Sequence, residues 1–171
     1  MHLKSQLTLS LIEDQGSENR KRWVNYLIEN QIDLRDFVDL VLSDRKLALR
    51  FIWLVGDLCE QNAAYVSPAV PAFYALKDQV KFPNYDRSLA KMFLWCGIPE
   101  NREGEIIDVL FSWIMDSKVS VATKTNAMLA LQKELNKYPE LKQELKLVIQ
   151  DQLDKNSVSF RNCAKKILQD L

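Results

Sequence analysis

Histidine is almost missing from this chain: His2 is the single one in 171 residues. Imidazole-based metal binding and acid–base catalysis are thereby nearly excluded. Glycine and proline are scarce as well, at four and five residues, and β-branched residues never form an alternating run, which argues against strands joined by tight turns. Three cysteines, Cys59, Cys96 and Cys163, include no CxxC spacing and cannot all pair; neither a disulfide framework nor a zinc site is expected. Charge of one sign is missing too. The 23 basic residues balance 23 acidic ones, which removes the usual electrostatic attraction to nucleic acid or anionic lipid. No stretch approaches the roughly 18 apolar residues of a membrane span, and the first residues lack the apolar segment of a signal peptide. There is no glycine-rich phosphate loop, no GxSxG, no HExxH and no Cys–His pair. These absences predict a soluble, cytoplasmic, non-catalytic protein with no cofactor and no metal, no membrane partner, and nucleic acid disfavoured.

What the chain does contain is a period. Arg50, Arg87, Lys124 and Arg161 stand 37 residues apart. Three positions after each cation come Trp53, Ala90, Ala127 and Ala164, and seven after each come Asp57, Leu94, Leu131 and Leu168. Phe37, Tyr74, Phe111 and Val148 keep the same spacing in the segments between. Self-similarity at a fixed spacing of about 20 to 50 residues is the mark of stacked supersecondary units, none of which buries its apolar face alone. Cys59 and Cys96 are also 37 apart. They then occupy equivalent positions on stacked helices about 8 to 10 Å apart, too far for a disulfide, and free thiols are expected.

The pattern reads as helices throughout. Leu3 to Asp14 and Glu18 to Asn30 form a shortened first pair joined by Gln15, Gly16 and Ser17, with Ser17 placed to cap the second. Residues 32–43 put Leu34, Phe37, Val38 and Val41 on one helical face. A turn at Asp44, Arg45 and Lys46 leads to a helix reaching about Gln61, with Leu49, Ile52, Trp53 and Gly56 on its packing face. Ser67 and Pro68 read as a capped helix start. A turn at Lys81 to Asn84, a helix through Leu89 and Phe93 ended by Gly97 and Pro99, and two further pairs with turns at Asp116 and Asp154 complete the chain. The expected division is one domain of about ten helices: a pair in 1–31, then units in 32–66, 67–100, 101–138 and 139–171.

The unit of apolar helix, aspartate turn and second helix opening on a valine and a cation is best seen in Val109–Leu129 and Val148–Leu168. It resembles the HEAT and armadillo class of α-solenoid repeats over nearly the whole chain. The second unit departs from the pattern, with Lys81 at the turn. The resemblance implies an all-α, right-handed α-α superhelix whose second helices line a concave surface. It also implies service as a scaffold, a transport adaptor or, in one branch, a DNA glycosylase.

Three sets of residues are candidates for a site. The cations Arg50, Arg87, Lys124 and Arg161 can orient an acidic partner, or simply meet turn aspartates such as Asp44, Asp116 and Asp154. Trp53 and Asp57, with Arg50, copy the aromatic, carboxylate and base of the glycosylases, or else Trp53 fills space beside Gly56 while Asp57 pairs with a neighbour. Phe51, Val55, Leu58, Met92 and Trp95 form an apolar surplus on the second helices of the first two regular units. They anchor a protein or peptide if exposed, or are covered by the short N-terminal pair. The function expected is non-catalytic recognition of a protein or peptide; nucleic-acid or glycosylase-like binding, and self-association as a homodimer, are the alternatives.

Overall fold

The structure is a computed structural model describing residues 2–171, and among these every regular element is helical. The α-helices are α1 (Leu3–Glu13), α2 (Ser17–Glu29), α3 (Arg45–Gln61), α4 (Ala63–Val66), α5 (Val70–Ala75), α6 (Tyr85–Cys96), α7 (Glu103–Met115), α8 (Val121–Glu134), α9 (Leu141–Gln152) and α10 (Val158–Asp170). Short 3₁₀ pieces occupy Leu34–Leu42, Ser67–Ala69 and Glu100–Arg102. No helix among the described residues is long and apolar enough to cross a membrane.

The helix starts follow side-chain chemistry. Asp44, Ser120 and Ser157 each accept from backbone N–H groups of the first turn that follows, satisfying donors that the helix itself leaves unpaired. Because Asp44 is a cap, Arg45 and Lys46 already belong to α3, and the expected three-residue turn shrinks to its first member. Ser17 does not cap α2; the helix begins at it, and Asp14 instead accepts from the Gly16 N–H at 2.7 Å. Gly97 ends α6 in the left-handed region at φ 85°, where its N–H reaches the Phe93 carbonyl.

Two segments differ from expectation in kind. Residues 34–42 form a 3₁₀ helix, whose three-residue turn aligns Leu34, Phe37 and Leu40 in one buried row and Val38 and Val41 in another. The row Asp33, Asp36, Asp39 and Leu42 is exposed, so Leu42 is the one apolar member of an acidic edge. Farther on, Ser67 and Pro68 do not start a helix: the helical path begins at Ala63, where the Asn62 side chain accepts from Tyr65 N. Pro68 and Pro71 then remove two N–H donors, and the path tightens into 3₁₀ before it resumes as α5.

The chain folds as two compact units, Met1–Tyr85 and Asp86–Leu171. In the first, α3 is central: α1 and α2 pack on it, as do the 34–42 segment and α4. In the second, α7 pairs with α8 and packs on α9, while α8 packs on α10. Ala90, Ala127 and Ala164 are fully buried, as a column of close helix approach requires. No buried side-chain nitrogen or oxygen among the described residues lacks a hydrogen-bond partner.

A candidate partner-binding surface

The periodic cations have different fates. Arg50 reaches the end of α1: its Nη1 donates to the carbonyls of Leu11 at 2.6 Å and Ile12 at 2.8 Å, and its Nη2 donates to Gln15 Oε1. A guanidinium on unpaired C-terminal carbonyls is favoured by the helix dipole, and it fixes Arg50 as a structural clasp. Lys124 is 2% exposed and donates to Asn156 Oδ1 at 3.0 Å. Desolvation holds its pKa below the usual lysine range, partly opposed by the nearby Asp116 carboxylate. Arg87 is exposed on α6 and Arg161 half-buried on α10. The turn aspartates do not answer these cations as a uniform ladder, since Asp44 and Asp116 bond backbone N–H groups of their own turns.

The apolar surplus divides as well. Phe51, Val55, Leu58 and Met92 are buried and offer a partner no surface. For the three on α3 the cause is visible: that helix is packed on several sides, and the Phe51 ring lies 6.3 Å from that of Phe73 on α5. Trp95 remains 46% exposed on α6.

Trp53 is 49% exposed and does not fill the space beside Gly56. Its flanks are pinned. On one side stands Arg50 with its hold on α1; on the other stands Asp57, whose carboxylate accepts from Arg20 Nε at 2.7 Å. Arg20 also donates to the Gln15 carbonyl, so two arginines bind one loop residue. The expectation that Asp57 pairs with a neighbour therefore holds, and its carboxylate is engaged in that role.

A cleft opens at the beginning of the same helix. It encloses about 570 Å³ and is lined by Val41, Leu42, Arg45, Lys81 and Phe82, among others. Asp78 also lines it, bonded to Lys77 at 2.8 Å.

The second unit holds a cluster that the sequence did not reveal. The Glu103 carboxylate accepts from Lys137 Nζ at 2.8 Å and from the Tyr138 hydroxyl at 2.5 Å. These hydrogen bonds, Lys137 first, hold its pKa below the usual carboxylate range. Glu134 moves the other way, raised by burial and then by the Glu103 charge. All three cysteines are free, Cys59 buried and the other two half-buried. Burial raises the Cys163 thiol, away from a reactive thiolate. Among the described residues, no three histidine, cysteine or acidic side chains are grouped to hold a metal ion. No family model, curated protein or solved structure matches the chain.

Proposed function

We propose that this chain is a HEAT-like α-solenoid module that recognises a protein or peptide partner on a rigid helical surface. The observation that carries the reading is Trp53: a half-exposed indole where the repeat elsewhere places alanine, held between two engaged charged side chains. Large aromatics that lose little freedom on contact are favoured anchors at interfaces. Trp95, at a different position of the period, is a second exposed aromatic anchor, on the second unit.

The solenoid reading draws support from the spacing of the polar links. Arg20 to Asp57, Arg50 to Leu11 and Ile12, and Gln61 to Asn25 join residues 36 to 39 apart in the first unit. Lys133 to the Leu94 carbonyl, Lys137 to Glu103 and Gln132 to Asp170 join residues 34 to 39 apart in the second. Links about one repeat long are what nearest-neighbour stacking produces, and a right-handed α-α superhelix is the arrangement we infer. The engagement of Asp57 by Arg20 favours recognition over glycosylase-like catalysis at this position.

The test is parallel capture from the native host on immobilised wild type, Trp53→Ala and Trp95→Ala, with folding checked by circular dichroism. Proteins retained by the wild type and lost from a folded variant support the reading. Identical profiles from all three proteins would sink it.

A further inference from the structure

We propose that the strip of the first unit from the cleft at the start of α3 to Trp53 docks an acidic peptide. Its carboxylates meet Arg45 and Lys81, and an apolar side chain about four residues farther along lies on the Trp53 indole. This deepens the proposed function and rests on it.

The charge of the cleft is the first argument. Arg45 and Lys81 line it from two separate segments, and neither they nor the adjacent Lys46 pair with a carboxylate among the described residues. The acid in the lining, Asp78, is paired with Lys77 on the surface. The position of the cations is the second argument. Arg45 and Lys46 occupy the first turn of α3, which contains no acidic residue. Cations there oppose the positive end of the helix dipole, the single carboxylate of the Asp44 cap offsets part of that repulsion, and bound carboxylates would relieve the rest.

Geometry supplies the length of the ligand. Arg45 and Trp53 are eight residues apart, about 12 Å of rise and about 80° of rotation on an α-helix, and the half-buried Leu49 lies between them on the same stripe. An extended chain covers that distance in about four residues. Leu42, 43% exposed on its otherwise acidic row, adds an apolar contact at the cleft end. The far end of the strip carries Asp57 and Glu60. The cations free to meet a ligand lie at the cleft end, since Arg50 is committed to the end of α1 and Arg20 to Asp57. A ligand acidic at one end and apolar at the other therefore fits the strip better than a polyanion of uniform charge; this favours a peptide over nucleic acid.

The experiment uses the full chain and a labelled probe, fluorescein-Gly-Glu-Glu-Ser-Gly-Ser-Phe-Gly, read by fluorescence anisotropy. The probe is expected to bind. Arg45→Glu and Lys81→Glu should each weaken it about two- to fivefold, in the range of exposed charge pairs. A probe with lysine in place of both glutamates should prefer the doubly reversed protein to the wild type. Replacing the probe phenylalanine by alanine should weaken binding to the wild type and change little in Trp53→Ala. The proposal is overturned if the probe does not bind, if a glutamine version binds as tightly, or if an oligothymidylate of equal charge competes better. The substitutions in the probe keep the test decisive should a protein variant fail to fold. Loss of the native partners from Trp53→Ala without any binding of the acidic probe would remove this inference and leave the broader function standing.

Discussion

At Trp53 the requirements of the repeat and of the surface separate. The equivalent positions Ala90, Ala127 and Ala164 are fully buried, whereas the Trp53 side chain is half exposed. Trp53→Ala should therefore alter the stability measured in urea by less than about 1 kcal/mol while removing the anchor. Lys124 presents the opposite case, a buried cation that donates to a neutral amide, Asn156, with the Asp116 carboxylate opposing its desolvation only in part. Lys124→Met should match or exceed the wild type in thermal stability at pH 7, because the charge costs more to desolvate than the amide returns. Glu134 gives a pH-dependent result. Its folded pKa is raised, so its charged form is disfavoured in the native state, and the cost exists only where the unfolded carboxyl is ionised. Glu134→Gln should accordingly raise the melting temperature at pH 7, and the gain should vanish once the pH falls below about 4. That Asp57 pairs with a neighbour was readable from the sequence; that the neighbour is Arg20 was not, because the first helix pair stands outside the 37-residue register. The burial of Phe51, Val55 and Leu58 on α3, against which α1 and α2 pack, was one of two alternatives the sequence left open, because an apolar face does not by itself decide between a covering helix and a partner.

Among the elements, α3 shows what a helix gains and gives up at its ends. Asp44 accepts from two backbone N–H groups, at 2.9 and 3.2 Å, and Asp44→Ala should cost about 1 kcal/mol. Arg45→Glu replaces a cation at the wrong end of the dipole and should stabilise the protein by about 0.3–1 kcal/mol in denaturant titrations. The helix would thus become more stable by the same change that weakens peptide binding. Most helix boundaries could be read from caps and apolar spacing, with the type of residues 34–42 as the exception. Leu34, Phe37, Val38 and Val41 satisfy both a 3.6- and a 3.0-residue turn, and it is Leu40 and the aspartates every third residue that favour the tighter one. Pro68 misled for a related reason: proline opens helices, yet it is equally tolerated inside a path that has already tightened.

For the whole molecule, the 37-residue period is what the amino-acid sequence carries most openly, and the repeat arrangement proposed above would have each interface made by residues at equivalent positions. The polar links seen in each unit span no more than 39 residues. Little loop entropy must be lost before contacts form, so the main phase of refolding followed by tryptophan fluorescence should fall on the order of milliseconds, as for helical proteins dominated by local contacts. The links also set which changes of length the protein can accept. One residue inserted inside α8 would turn everything after it by about 100°, carrying Lys133 and Lys137 off the Leu94 carbonyl and Glu103. The same residue added to the turn at 116–120 would leave both ends of those bonds in register. Divergence of this chain is thus constrained less by which side chains it carries than by where it can grow longer or shorter.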